Sequence, residues 1–223
     1  MTAISFSRPP NGISLGDLLE GLGGISPYRV RMVPAPGTAT EEDVIALEAS
    51  EDRLYELVDG VLVEKVMGFG ESMIAGAILF ALRAFIIPRN LGLVSAPDGM
   101  VRLSKGLVRG PDVAFVSWAR LPGGSAPTAP IPSIVPDLAV EVLSQSNTPR
   151  EMERKRGEYF RAGVRLVWIV DPDSRTVAVF SGPENPRILA ATDILDGGEI
   201  LPGFLLPVRE IFADLDRRAP AAS

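Results

Sequence analysis

Charged side chains stand in two segments that otherwise have the pattern of a protein core. Glu141 lies inside the apolar segment DLAVEVL, and Lys155 lies on the apolar stripe of the helix that follows it. Burying a carboxylate or an ammonium group is costly unless the charge meets an opposite charge or a metal ion. Strand alternation places Glu141 on one face with Ala139 and Leu143. Glu141 and Lys155 are therefore candidates for a functional site.

A second carboxylate, Asp112, begins an apolar strand directly after Pro111 and shares a face with Ala114 and Val116. Two carboxylates on neighbouring strands of one sheet can hold a divalent metal, because the cation offsets their mutual repulsion. A lysine that reaches such a cluster can orient an attacking water or stabilise charge that develops on a phosphoryl group. A divalent-metal site is therefore one interpretation of these three residues.

The composition excludes several other kinds of site. The chain of 223 residues has no cysteine and no histidine. Disulfides, thiolate metal sites, the usual zinc ligands and the imidazole of a Ser-His-Asp triad are thus ruled out. Carboxylates and amines remain for this chemistry, and the metal that suits carboxylate oxygens is a hard one, Mg²⁺ or Mn²⁺.

The net charge and the apolar segments bear on partners and location. With 22 basic and 28 acidic residues, the formal charge is −6, which argues against a general nucleic-acid coat protein. The first residues lack the apolar core of a signal peptide, and the longest apolar run, Met73–Leu82, is shorter than the roughly 20 residues of a membrane span. We expect a cytoplasmic protein without membrane contact.

The order of elements predicts an α/β fold with a central mixed sheet flanked by helices. The segment YELVDGVLVEKV predicts a hairpin that turns at Asp59-Gly60, and a buried helix is expected over Glu71–Pro88. After two short strands and the strand of Asp112, the pattern predicts a strand over Asp137–Leu143, a helix over Pro149–Ala162 and a strand over Arg165–Val170.

The ends of the chain are less regular. Residues 1–39 are rich in Gly and Pro and predict a loosely structured N-terminal arm. Residues 40–215 form the predicted main domain, and 216–223 a C-terminal tail. Within the domain, the strand SRTVAVFS is followed by a polar segment, a Pro-Gly turn at 202–203 and a final short helix in VREIFADL.

Several segments together resemble the Uma-two family, a branch of the PD-(D/E)xK nuclease superfamily. They are YELVDG, GPDVAFVS, PDLAVEVLSQSNTP, EMERKRGEYFRAGVRLVWIVDP and LPGF, and the resemblance covers roughly residues 40–213. It implies a restriction-endonuclease-like core with an N-terminal helix and hairpin extension. It also implies a Mg²⁺-dependent endonuclease that acts on DNA.

The resemblance assigns roles to individual residues. Asp112 and Glu141 would bind Mg²⁺ or Mn²⁺, and Glu56 in YELVDG would complete the metal site. The superfamily's E-x-K lysine falls at Leu143, so Lys155 on the following helix would take its place. Because enzymes that cut both strands commonly work with paired active sites, a homodimer is also expected.

Many members of this family carry a histidine near the start of the long helix, and here Glu71 stands in that region. Glu71 is therefore a reserve candidate for the site, and its alternative role is that of an acidic first-turn residue favoured by the helix dipole.

Simpler interpretations remain open for each residue. Asp112 can be a turn aspartate, Glu141 can mark an exposed sheet face, Glu56 can be a strand-edge charge, and Lys155 can pair with Glu151 one helical turn away. The helix also carries arginines that could form a solvated face or contact phosphates: Arg150, Arg154, Arg156 and Arg161.

Two other classes of function therefore stay beside the metal-dependent DNA endonuclease. One is a catalytically weak nucleic-acid-binding or protein-interaction module on the nuclease fold. The other is a structural homodimer.

Overall fold

The computed structural model describes residues 14–51 and 53–219, and its architecture is a mixed α/β fold with a six-stranded sheet, a four-stranded sheet, a two-stranded sheet and flanking helices. The helices are α1 (Leu15–Gly21), α2 (Glu41–Ser50), α3 (Phe69–Ile86), α4 (Pro149–Ala162), α5 (Val208–Ile211) and α6 (Ala213–Asp216). The first six strands are β1 (Leu54–Val58), β2 (Val61–Lys65), β3 (Gly92–Ser95), β4 (Val101–Ser104), β5 (Leu107–Arg109) and β6 (Val113–Ser117). The others are β7 (Leu138–Val142), β8 (Leu166–Asp171), β9 (Thr176–Phe180), β10 (Arg187–Leu189), β11 (Ile194–Gly197) and β12 (Leu201–Pro207).

The central sheet has six strands in the order β10-β9-β8-β7-β6-β3. Strands β7 and β8 are parallel, and the other pairs of this sheet are antiparallel. A parallel pair needs a long crossover, and α4 provides it. Because α3 packs on one face and α4 on the other, β7 is buried on both faces, which accounts for its nearly continuous apolar sequence.

A second, antiparallel sheet has the order β2-β1-β5-β4. Its hairpin β1–β2 turns at Asp59 and Gly60, whose φ angles of 52° and 73° are those that an Asp-Gly turn accepts. The chain leaves this sheet at the end of β5 and enters the central sheet at β6, with Gly110-Pro111 between them. The two sheets therefore meet at the residue that precedes β6, which is Asp112.

Helix α4 begins and ends as its sequence predicts. Thr148 caps its N-terminus by accepting a hydrogen bond from the Glu151 backbone N–H at 3.0 Å, and Pro149 occupies the first turn. Gly163 ends the helix with a φ of 103°, a left-handed conformation that suits glycine. The helix is thus fixed at both ends, which determines the position of Lys155.

Helix α3 combines 18 residues with strongly apolar composition, so by length and composition it could cross a membrane. In this structure one face of the helix is buried, and large apolar residues on the rest of it, such as Phe69 and Phe80, are exposed. Its inward stripe of Ile74, Ile78, Leu82 and Ile86 packs against the central sheet.

The N-terminal arm differs from the prediction where the structure describes it, at residues 14–39. Besides α1, this segment contains a 3₁₀ turn at Pro27–Arg29, and Val30 bridges to Val63 of β2. Its apolar side chains cover the outer face of the β1–β2 hairpin: Leu22, Ile25 and Val30 pack on Val58, Val61 and Val63. The Gly- and Pro-rich composition reflects tight bends in a packed segment rather than a loose arm.

The segment after β9 is the other difference. The sequence predicts a polar segment and a turn at 202–203, whereas the structure has β10 at the edge of the central sheet and a β11–β12 hairpin. Strand β12 tolerates Pro202 and Gly203 because it pairs on one side with β11, at a shift in register. Pairing in three dimensions thus overrides the local turn signal. The final helical segment is present as α5 and α6.

A pair of glycines tests whether the N-terminal segment is packed. Gly23 and Gly24 both have positive φ, 94° and 74°, but only at Gly23 would an added Cβ meet backbone, at 2.6 Å from Glu151 Cα. Gly24→Ala should lower the free energy of unfolding by about 1 kcal/mol through its φ alone. Gly23→Ala should cost roughly 2 kcal/mol more, because helix α4 must shift. Urea unfolding of both variants measures this, and equal losses would contradict the packing.

Candidate active site

The predicted site residues meet where the two sheets and helix α4 come together. Glu56 comes from β1, Asp112 precedes β6, Glu141 lies in β7 and Lys155 lies in α4. All four are almost fully buried, with 1%, 3%, 5% and 4% of their surface exposed. The structure therefore confirms that these charges lie in the interior.

Lys155 joins two of the carboxylates. Its Nζ lies 2.9 Å from Glu141 Oε2 and 3.2 Å from Glu56 Oε1. Glu56 also accepts hydrogen bonds from Arg109, 2.6 Å away, and from the Gly110 backbone N–H at 3.1 Å. Glu56 is therefore an interior anchor for two cations, not a strand-edge charge.

Asp112 and Glu141 are neighbours across β6 and β7. The register pairs Val113 with Val140, and the Asp112 backbone N–H donates to the Val140 carbonyl at 2.9 Å. One carboxylate oxygen of Asp112 accepts the Val142 backbone N–H at 2.7 Å. The other carboxylate oxygen lies 2.8 Å from Lys65 Nζ. Asp112 is thus fixed at the end of the sheet, beside Glu141.

A further ion pair lies behind Glu56. Arg109, at the end of β5, contacts both Glu56 and Glu158 of α4. Glu158 is also paired with Arg154, which lies one turn before it at 2.7 Å. Glu158 is nevertheless buried, with 4% of its surface exposed. The reason is that Arg109 extends from the second sheet and neutralises it.

The surrounding charges shift the pKa values of the two glutamates in opposite directions. Burial opposes ionisation of Glu56, but Lys155 and Arg109 outweigh it and lower the pKa of Glu56 to about 2. Burial raises the pKa of Glu141, and the negative charges of Asp112 and Glu56 add to the rise. Burial opposes the charge of Lys155, but the negative charges of Glu141 and Glu56 outweigh it and raise the pKa of Lys155. The Lys155 amine therefore stays protonated. Lys155 therefore acts as a cation rather than as a base.

Tyr159 completes the surroundings of Glu141. Its hydroxyl donates a hydrogen bond to Glu141 Oε1, and burial raises its pKa well above the ordinary value. Tyr159 therefore remains a hydrogen-bond donor. Together with Lys155 it fixes both oxygens of Glu141.

The donor atoms near Asp112 suit a hard cation. Within residues 14–51 and 53–219, no three acidic side chains form a group that could hold a metal ion, so Glu56, Asp112 and Glu141 do not converge on one point. Around Asp112, however, the Lys65 ammonium also donates to the carbonyl oxygens of Pro97 at 2.8 Å and Gly110 at 2.6 Å. A positive group surrounded by one carboxylate and two carbonyl oxygens shows that this place accepts a cation. Those are the ligand types that Mg²⁺ and Mn²⁺ prefer.

Other predicted contributors lie apart from this cluster. Glu71 is in the first turn of α3 and forms no ion pair with a described residue. Arg154 is held by Glu158, Asp59 and the Gly21 carbonyl, and Arg156 donates to the Pro183 carbonyl. The alternative pairing of Lys155 with Glu151 is wrong, because Glu151 pairs with Arg29 at 2.8 Å.

Lys65 and Arg109 are the site residues that sequence reasoning missed. A usable signal existed for Lys65. With two residues in the Asp59-Gly60 turn, Leu54 lies opposite Lys65, so Lys65 shares a hairpin face with Glu56. Arg109 has no such signal, because its place depends on how the two sheets meet.

Another Pro-Asp dipeptide that precedes a strand of the central sheet, Pro136-Asp137, is structural. Asp137, at the start of β7, is fully buried and pairs with Arg120 and Arg165, at 2.8 Å and 2.5 Å. Burial opposes its ionisation, but the Ser117 backbone N–H and these arginines lower its pKa. Asp137 precedes the first residue of β7, whereas Asp112 contacts Val142 at the last residue of that strand. Asp137 is therefore remote from the candidate site.

Comparison with protein families gives the family. The Uma2 (Uma-two) family model, described as "Putative restriction endonuclease", matches residues 41–209, well over half of the chain. The chain belongs to the Uma2 family. The match begins with α2 and ends in α5. It therefore contains all the buried charged residues around the candidate site: Glu56, Lys65, Arg109, Asp112, Glu141, Lys155 and Glu158.

A solved structure gives the fold. The crystal structure of a putative nuclease belonging to DUF820, from Anabaena variabilis, superposes with a TM-score of 0.65 at 18% sequence identity, covering 73% of this chain and 92% of that one. The Uma2 protein thus has the restriction-endonuclease-like fold that the sequence predicts, and family and fold together indicate a nuclease. No curated protein matches the chain.

Lysine substitutions test whether Lys155 neutralises the buried charges of Glu56 and Glu141. Lys155→Met leaves Glu56 and Glu141 without their shared cation and should lower the free energy of unfolding by about 3–5 kcal/mol. The matched control is Lys105→Met at an exposed lysine, which should change it by less than about 0.5 kcal/mol. The double variant Lys155→Met/Glu141→Gln should regain part of the lost free energy of unfolding, because the unpaired charge of Glu141 is removed as well. Equal stability of the two lysine variants in urea would contradict the ion-pair assignment.

Proposed function

We propose that the chain is a metal-dependent endonuclease that hydrolyses phosphodiester bonds in DNA. The observation that carries the proposal is the cross-strand pair of Asp112 and Glu141 with Lys155 2.9 Å from Glu141, inside a family and fold of nucleases. Two neighbouring carboxylates can hold a divalent metal ion, and a protonated lysine beside them can stabilise the negative charge that develops on a phosphoryl group.

Asp112 and Glu141 would hold Mg²⁺ or Mn²⁺, with the carbonyl oxygens of Gly110 and Pro97 as further donors. Bound there, the ion would polarise the scissile phosphate and lower the pKa of a coordinated water. The Glu56 carboxylate serves this site indirectly, because it is engaged by Arg109, Lys155 and the Gly110 N–H. Its proposed role is to hold Lys155 beside Glu141.

Lys155 supplies the positive charge that the protein itself brings. Its amine stays protonated and is held between two carboxylates, so it is oriented before any substrate arrives. A fixed cation in a site of low dielectric stabilises negative charge that develops on the phosphate oxygens. Tyr159 keeps Glu141 in place through its hydrogen bond.

A plasmid-cleavage assay with Mg²⁺ or Mn²⁺ tests the proposal. Asp112→Asn and Glu141→Gln should each slow cleavage by roughly a hundredfold, which corresponds to about 3 kcal/mol of transition-state stabilisation. The controls are Asp214→Asn and Glu184→Gln, at exposed acidic residues outside the cluster, and they should cleave like wild type. Cleavage by Asp112→Asn at the wild-type rate would contradict the site assignment, and removal of the metal with EDTA should abolish all cleavage.

One observation favours a second candidate, a catalytically weak nucleic-acid-binding module. Glu56, Asp112 and Glu141 each already have a cationic partner within the protein and are at most 5% exposed. Metal-dependent cleavage in the same assay separates the two functions, because binding of DNA without cleavage would favour the module. The homodimer and the cytoplasmic location stay predictions.

A further inference from the structure

Lys65 lies where a metal ion would bind to Asp112. Its Nζ is 2.8 Å from Asp112 Oδ1, 2.8 Å from the Pro97 carbonyl oxygen and 2.6 Å from the Gly110 carbonyl oxygen. The side chain is 8% exposed, so these three oxygens enclose the ammonium group. A divalent ion and Lys65 therefore need the same oxygens.

The charges of the buried side chains limit how a metal ion can enter. Four buried carboxylates, Glu56, Asp112, Glu141 and Glu158, face three nearly buried cations, Lys65, Arg109 and Lys155. Arg154 also pairs with Glu158, but its side chain is 20% exposed and is shared with the exposed Asp59. Four negative against three positive charges leave one negative charge, so a divalent ion added to this interior leaves one positive charge that nothing offsets. If Lys65 leaves as the ion enters, the buried charges balance.

The position of Lys65 in the fold allows it to leave. It is the last residue of β2, and β2 is an edge strand of its sheet. The next residue, Val66, is exposed. The long and flexible lysine stem can therefore turn toward solvent without breaking a strand pair in the interior of the sheet.

We propose that Lys65 is an internal cation that competes with the divalent metal for Asp112, so that metal binding displaces the Lys65 side chain. The inference rests on the proposed function, since it takes Asp112 as a metal ligand. It assigns to Lys65 the opposite effect from Lys155. Lys155 holds the site together, whereas Lys65 lowers the affinity for the metal.

Mn²⁺ titration by calorimetry tests the competition directly, with Mn²⁺ as the probe. Lys65→Met removes the ammonium group and keeps an apolar stem, and it should bind Mn²⁺ at least roughly tenfold more tightly than wild type. Lys105→Met removes the same charge from an exposed position and should bind within about twofold of wild type. Lys65→Gln, whose amide can still donate to the carbonyl oxygens, provides a second variant if Lys65→Met is unstable.

A measurement on the wild-type chain needs no substitution at Lys65. The sequence has three lysines, at 65, 105 and 155. Acetylation by acetic anhydride, followed by mass spectrometry of the peptides, reports the accessibility of each amine. Mn²⁺ should increase modification of Lys65 and leave Lys105 unchanged.

The outcomes separate this inference from the proposed function. Tighter Mn²⁺ binding by the Lys65 variants, lost again when Asp112→Asn is added, supports the competition. If wild type and the Lys65 variants bind Mn²⁺ equally, in an Asp112-dependent way, and Lys65 modification does not change, the inference is overturned and the metal-dependent function stands. If neither wild type nor the variants bind Mn²⁺ or cleave DNA, both are overturned.

Discussion

Lys155 holds Glu56 and Glu141 together across the boundary between two sheets, and the arrangement of the interior depends on this contact. Each of these charges would be unstable in the core alone, because burial without a partner costs several kcal/mol. Glu56 belongs to the second sheet, Glu141 to the central sheet and Lys155 to α4. The three elements must therefore take their places together. Arg109 strengthens the same junction by joining β5 to β1 and to α4.

Local patterns were sufficient to predict much of this arrangement. Strand alternation placed Asp112 and Glu141 on adjoining faces, and the helical stripe together with the caps placed Lys155. What could not be predicted is the contact between sheets, since no short segment encodes which residues of β2 and β5 face β6. Lys65 and Arg109 were missed for that reason, although the hairpin register already put Lys65 on the face of Glu56. The short strands β10 to β12 were missed because long-range pairing decides their conformation.

The same charges that stabilise the fold are the ones available for chemistry. A protonated Lys155 and a Glu141 held by Tyr159 form a preorganised electrostatic environment, which is the larger part of what a nuclease protein supplies to phosphodiester hydrolysis. Asp112 differs from the other carboxylates. Its cationic partner, Lys65, comes from the end of an edge strand rather than from the centre of a packed element. The proposed exchange of Lys65 for a metal ion would therefore take place at Asp112, while Glu141 would keep Lys155 and Tyr159 as partners.

A crystal structure of the protein soaked with Mn²⁺, with the ion located by its anomalous scattering, would show whether Asp112 and Glu141 bind a metal ion in place of Lys65. We expect an anomalous peak from a Mn²⁺ ion bound to both Asp112 and Glu141, with Lys65 turned away from Asp112 and Lys155 still between Glu56 and Glu141. A structure in which Mn²⁺ binds elsewhere, with Lys65 and Asp112 still paired at saturating metal, would contradict this expectation.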